Sequence, residues 1–192
     1  MEAFFVSLSV VALAEIGDKT MLLAIVLATR LRAPAQIVAG ILAATIANHL
    51  LAAFVGVELA GVLEARWFRI AVALGFIAMA LWTLVPDKLD DDEDGLVKRR
   101  GSAFLTTLVS FFIVEMGDKT QVATIALGAH YHSVMVVAAG TTVGMLLVNG
   151  PSVYLGDRLM RKVSMRAAHL AAAALFAVLG VWQLVSVLQG QA

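Results

Sequence analysis

Glu15-Ile16-Gly17-Asp18-Lys19-Thr20 stands in the middle of an apolar stretch, and Glu115-Met116-Gly117-Asp118-Lys119-Thr120 restates it 100 residues later. The flanks of the two copies, Ala3 to Ala14, Met21 to Thr29, Ala103 to Val114 and Val122 to Ala129, hold no ionised side chain. Three charges within six residues at the centre of such a segment need a physical account, and that account decides the fold. Hydrophobic residues make up 61% of the 192 and charged ones 15%, with a mean hydropathy of +0.92. This lies far from the balance of soluble domains. The composition reads as an all-α integral membrane protein. The formal net charge of zero names no partner, and no nucleic-acid partner is expected. Without cysteine there is neither a disulfide framework nor a thiolate metal site. The chain opens Met1-Glu2 with no basic region before the apolar run, so the first segment is expected to stay as a span rather than act as a signal peptide.

Six segments are long enough to cross about 30 Å of hydrocarbon at 1.5 Å per residue. They are 3–29, 36–57, 68–86, 103–129, 134–156 and 167–188. The first and fourth carry the charged phrase. Trp67, Trp82, Tyr131, Tyr154 and Trp182 fall near segment ends, where amphipathic rings favour the interface. The runs are continuous rather than alternating, which favours helices over barrel strands. With the N-terminus outside, the inner loops hold ten Lys and Arg: Arg30, Arg32, Lys88, Lys98, Arg99, Arg100, Arg158, Arg161, Lys162 and Arg166. The outer side holds only Arg66 and Arg69. That asymmetry predicts both termini outside.

Shifting the chain by 100 residues superposes Phe4 on Phe104, Leu8 on Leu108 and the whole phrase on itself. The match continues without a gap through Ile25 and Ile125, Gly40 and Gly140, Gly56 and Gly156, Leu59 and Leu159, Arg66 and Arg166, Phe76 and Phe176, and Trp82 and Trp182. Each half has three spans, an odd number, so the second half must enter the membrane inverted. The expected architecture is six transmembrane helices as two inverted three-helix repeats, a plan of secondary transporters with sites near the midplane. The halves are 1–86 and 103–192, joined by a charged cytoplasmic linker at 87–102. The acidic run Asp87 to Asp94 in that linker reads as a solvated loop, with a weak cation-collecting site as the other reading.

Both phrases sit at about half depth, where the two-fold relation would bring them together. On a continuous helix, residues three and four apart share a face, so Glu15, Asp18 and Lys19 are expected to point one way, as are Glu115, Asp118 and Lys119. Gly17 and Gly117 permit close helix approach or a local break that frees carbonyls. Six unpaired charges at mid-bilayer would cost roughly 15–20 kcal/mol, more than the whole stability of an ordinary domain. They must be paired, hydrated or bound to an ion. Pairing Lys19 and Lys119 with carboxylates leaves two negative charges, the complement of one divalent cation or two protons. Acids so clustered titrate as a coupled set, which points to exchange. The lysines are read as neutralising and orienting the acids. Besides the four carboxylates, the hydroxyls of Thr20 and Thr120 and the amide of Gln121 make the donor set oxygen-rich, suited to Ca²⁺, Mn²⁺ or Mg²⁺. A buried salt-bridge network joining the first and fourth spans is the structural alternative.

Other polar positions are weaker signals. Asn48 and Asn149 are candidates for supporting contacts to the site, with helix packing as the other reading. Pro151, after Asn149-Gly150, removes a backbone donor and suggests an interruption or kink in the fifth span. His49 reads as a hydrogen-bonded interior residue, and His130 and His132 as part of a short outer loop. Gly140-xxx-Gly144 and Gly40-xxx-Ala44 read as close-packing faces.

The doubled phrase resembles the signature E-x-G-D-[KR]-[ST], one copy per three-helix half, of a family of small cation transporters. That family includes the Golgi manganese/calcium transporters of yeast and animals and manganese exporters of bacteria. The resemblance covers nearly the whole chain. It implies a divalent-cation:proton antiporter for Mn²⁺ and Ca²⁺, with Glu15, Asp18, Glu115 and Asp118 as the cation site. The transported ion is then substrate, and no cofactor is expected. Gln121 matches the residue that usually follows the second motif, whereas Met21 stands where an aromatic is expected. The compact chain is similar to bacterial members, which implies Mn²⁺ efflux across the inner membrane. Two rivals are weighed against this reading. A passive divalent-cation channel would be opposed by the lysines in each motif. An intramembrane metal-dependent hydrolase would want a nucleophile or metal-bound water, and no His/Cys ligand set accompanies the acids.

Overall fold

Backbone polar groups in hydrocarbon must be satisfied within their own segment, so apolar runs of this kind fold as helices. The computed structural model describes residues 1–62, 66–85, 102–156 and 164–189. Within them lie eight helices and no strand: α1 Glu2–Glu15, α2 Lys19–Leu31, α3 Pro34–Val62, α4 Arg66–Thr83, α5 Ala103–Glu115, α6 Lys119–Tyr131, α7 Val134–Leu155 and α8 Met165–Leu188. Helices α3, α4, α7 and α8 are each long and apolar enough to cross a bilayer. The acidic run, the rest of the linker before Ser102, and Arg158, Arg161 and Lys162 lie outside the described residues.

The first and fourth expected spans are not single helices. Each is a pair that breaks at the charged phrase, α1 with α2 and α5 with α6. Hydropathy averaged over a window does not register a break of three residues. The fifth segment shows the opposite departure, since α7 continues through Pro151 to Leu155. Pro34 opens α3, where its missing N–H costs nothing. Arg32 and His132 end α2 and α6 in the left-handed conformation, with φ of 50° and 49°. Both short connections after the broken pairs are therefore built alike. His130 is not in a loop: it belongs to the last turn of α6, its ring edge-on to Trp182 at 5.4 Å between centroids.

Small residues set the helix contacts, as the sequence leads one to expect of Gly140, Gly144 and Gly40. A Cβ on Gly140 or Gly144 would stand 2.5 Å from the carbonyl oxygen of Phe4 or Leu8, so α1 lies hard against α7. A Cβ on Gly40 would stand 2.8 Å from the Phe104 carbonyl oxygen, which presses α5 on α3 in the same way. Further along α3, Gly56 faces the Ile125 carbonyl and Gly128 faces the Ala53 carbonyl. Helices α5 and α6 thus follow one another along α3 in the same direction.

Residues 100 apart meet each other. Thr45 Oγ1 donates to Met145 Sδ at 2.9 Å where α3 crosses α7. Phe76 of α4 stacks on Phe176 of α8, with centroids 6.5 Å apart and planes at 29°. One buried cluster holds Val10, Ala14, Phe76, Leu127 and Phe176, and a second holds Leu23, Leu27, Ile41, Phe111 and Val153. Among the described residues the two halves do not pack alike. Helix α6 packs along α3 far more extensively than its counterpart α2 packs along α7, and α4 and α8 lean on α6 and α1. Gly156, the counterpart of Gly56, has nothing among the described residues within 4 Å of where its Cβ would stand.

Candidate metal centre

In each phrase the helix stops at the glutamate. Ile16 has φ −67° and ψ 110°, and Met116 has φ −65° and ψ 118°. Gly17 and Gly117 follow at φ 83° and 80°. The amides of Asp18 and Asp118 then donate back to the carbonyls of Glu15 and Glu115 at 3.1 Å. This is a type II turn, which demands positive φ at its third residue and so selects glycine. A Cβ on Gly117 would meet nothing within 4 Å, so that glycine is required for its conformation rather than for close approach. The next helix starts at the lysine with the aspartate as its N-cap. Glu15, Asp18 and Lys19 therefore do not share one face of a continuous helix, nor do Glu115, Asp118 and Lys119. The turn aims them instead.

The turn is braced from the following helix. Gly117 N–H donates to Gln121 Oε1 at 2.6 Å, and Gly17 N–H to Met21 Sδ at 3.3 Å. The amide oxygen of Gln121 is spent on this brace, and Met21 fills the same role in the first copy. Thr20 Oγ1 donates to Glu15 Oε2 at 2.6 Å, and Thr120 Oγ1 donates to Glu115 Oε1. The hydroxyls thus orient the two glutamates.

The two turns come together, and the lysines pair crosswise. Lys19 Nζ lies 3.4 Å from Asp118 Oδ1, and Lys119 Nζ lies 3.2 Å from Asp18 Oδ1. Glu15, Asp18, Glu115, Asp118 and Lys119 are all buried, and Lys19 is partly so. Carboxylate oxygens of Glu15, Glu115 and Asp118 fall within 4.8 Å of one another, close enough to hold one metal ion. Glu15 Oε1 and Glu115 Oε2 have no hydrogen-bond partner among the described residues.

Two long helices close the site. Asn149 Nδ2 of α7 donates to Glu15 Oε2 at 2.9 Å. Asn48 does not reach the acids: its Nδ2 donates to the Phe112 carbonyl at 3.2 Å, tying α3 to α5. His49 does reach them, with Nε2 3.7 Å from Glu115 Oε1, and the side chain is fully buried. Neither ring nitrogen has a hydrogen-bond partner among the described residues. His49 is thus no satisfied interior residue. The signal that would have found it is the repeat itself, since a shift of 100 places His49 on Asn149.

The family model described as "Divalent cation/proton antiporter GDT1" matches the chain twice, over residues 3–91 and 103–191. A protein of Vibrio cholerae named "Putative manganese exporter" is 43% identical over 182 residues, covering 94% of this chain and 90% of its own length. "GDT1-like protein 5" of Arabidopsis thaliana is 30% identical, covering 97% of this chain and 96% of itself. "GDT1-like protein 4" of Oryza sativa subsp. indica is 27% identical over 85% of this chain and 66% of its own length. No solved structure matches. A buried, acid-rich pair of turns recurring in two halves that each match one antiporter model fits only one conclusion, that the chain belongs to the GDT1 family of divalent cation/proton antiporters, which are transporters and not enzymes.

Proposed function

We propose that the chain exports Mn²⁺ in exchange for protons through a site formed where the two turns meet, with Ca²⁺ as a second cargo. The observation that carries this reading is the crossed pairing of the lysines with the aspartates. It leaves Glu15 and Glu115 as the unneutralised charge, two negative charges that one divalent ion or two protons would balance. Glu15, Glu115 and Asp118 supply the converging oxygens, while Asp18, outside that cluster, supports the site through its pair with Lys119. The carbonyl ends of α1 and α5 and the amide ends of α2 and α6 meet at the same breaks, the former favouring a cation and the latter the capping aspartates. Manganese is favoured by the name of the Vibrio relative, and calcium by an all-carboxylate set of oxygens.

The α1–α2 and α5–α6 pairs each act as one broken span, which with α3, α4, α7 and α8 gives six spans in two inverted repeats. The position of the breaks after Glu15 and Glu115, halfway along each apolar segment, supports a site near the midplane. The excess of Lys and Arg on one side supports an orientation with both termini outside the inner membrane. A passive channel is disfavoured because two ammonium groups stand inside the site.

Flux of ⁵⁴Mn²⁺ in proteoliposomes, with and without a pH gradient, tests the reading. Glu15→Gln and Glu115→Gln are expected to lower flux at least 100-fold while leaving insertion unchanged. A normal rate in either variant would refute the site. Efflux that neither moves protons nor responds to the gradient would refute the coupling.

A further inference from the structure

We propose that His49 is a nitrogen ligand to the transported ion and the residue that favours transition-series divalent ions over Ca²⁺ and Mg²⁺. The proposal rests on the acid-site reading above and goes beyond it by naming the residue that sets selectivity.

The repeat supplies the first argument. Positions 49 and 149 are equivalent, and each faces the motif glutamate of a broken helix pair packed on its own helix. Asn149 closes on Glu15 with a direct hydrogen bond of 2.9 Å. His49 approaches Glu115 only to 3.7 Å, too far for a hydrogen bond. The second argument is the state of the imidazole. It is fully buried and both nitrogens are without a hydrogen-bond partner among the described residues. Burying polar nitrogen this way is costly unless something occupies it part of the time. Glu115 is in the same condition, because Thr120 engages Oε1 and Oε2 is unpartnered among the described residues.

An ion between them would give His49 Nε2 a partner beside Glu115 Oε1, the oxygen that Thr120 also engages. Two donors each about 2.1–2.2 Å from one ion are separated by roughly 3.0–4.3 Å, depending on the angle between them. The observed 3.7 Å to Glu115 Oε1 falls within that interval, and because His49 stands outside the three converging carboxylates, it would meet an ion at the Glu115 edge of the cluster. The consequence is chemical. The Glu15 side offers the ion oxygen only, from its carboxylate and the unpartnered Asn149 Oδ1. The Glu115 side adds an imidazole, a donor that Mn²⁺ and later divalent ions accept and that Ca²⁺ and Mg²⁺ take poorly. One nitrogen in an oxygen site would therefore tilt the choice of cargo.

The test uses Mn²⁺ itself as probe, with one equivalent bound to the full chain in detergent or nanodiscs and read by electron spin-echo envelope modulation. The wild-type chain is expected to show ¹⁴N modulation from a directly bound imidazole. His49→Asn, which copies the other repeat, is expected to lose it and to lower the Mn²⁺/Ca²⁺ flux ratio at least tenfold in proteoliposomes. Absence of ¹⁴N modulation in the wild type, or its persistence in His49→Asn, overturns the proposal. The wild-type measurement needs no variant, so misfolding of His49→Asn leaves it decisive, and His49→Gln serves as a second substitution. Loss of Mn²⁺ binding in Glu15→Gln and Glu115→Gln without ¹⁴N modulation in the wild type would sink the His49 assignment alone. Mn²⁺ binding unchanged in both glutamate variants would instead sink the acid site on which it rests.

Discussion

Lys19 and Lys119 do the same chemical work in different surroundings. The Lys119 side chain is 2% exposed and that of Lys19 is 21% exposed, although each meets the aspartate of the other motif. A buried charge left without its counter-charge is expensive, by about 3–5 kcal/mol when one partner of such a pair is removed. Lys119→Met and Lys19→Met each strand a buried aspartate, Asp18 or Asp118, so both are expected to lower thermal stability in detergent by a similar amount. Adding Asp18→Asn to Lys119→Met should recover part of the loss, and a double-mutant cycle on melting temperatures measures how much. At this scale the sequence shows the charge balance well, because counting needs no geometry. It does not show that the pairs cross between motifs, since that depends on how the turns aim Asp18 and Asp118. Nor does it show His49 at Glu115, because a single histidine in an apolar helix looks like any other interior residue until the repeat register is applied to it.

At the scale of the element, the type II turn is what brings the acids of a hydrophobic span into the proposed site. Its glycine sits at positive φ, where an L side chain costs about 1–2 kcal/mol. Gly17→Ala and Gly117→Ala are expected to cost about that much stability, and to lower Mn²⁺ flux at least tenfold because the acids are no longer aimed. Gly75 of α4 provides the contrast: it is helical, and a Cβ there would meet nothing within 4 Å. Gly75→Ala should leave flux unchanged and raise stability by up to about 1 kcal/mol through helix propensity alone. Paired melting curves and flux assays on the three variants check both statements. The segments themselves were legible from their apolar runs, and the break was foreseeable as one of two uses of Gly17. Its form was not, because the turn depends on backbone angles that Ile16 and Met116 do not advertise. Pro151 shows the converse, a residue that suggests a break where the helix carries on.

For the whole molecule, the 100-residue shift forecast which parts correspond, and Thr45 with Met145 and Phe76 with Phe176 meet as equivalents would across a two-fold axis. The shift is silent about the inequality of the halves, since both carry the same pattern of residues. That inequality is most visible at Gly56, where a Cβ would stand 2.1 Å from the Ile125 carbonyl oxygen. Gly56→Ala and Gly128→Ala are expected to wedge α3 from α6 and slow Mn²⁺ flux several-fold, while Gly156→Ala on the looser side should obstruct no contact. Proteoliposome flux on the three chains, with melting curves as a control for the positive φ of Gly156, distinguishes local strain from loss of closure.

Gly56 and Gly156 hold one place in the repeat, yet among the described residues one is pinned and the other meets nothing. If these positions act as two copies of one hinge in the transporter proposed above, the described residues hold them in opposite settings, one shut and one ajar. Exchanging the settings would require no new contact that the chain does not already make once. The ion held between the two turns would then hardly travel: the seal around it would change sides.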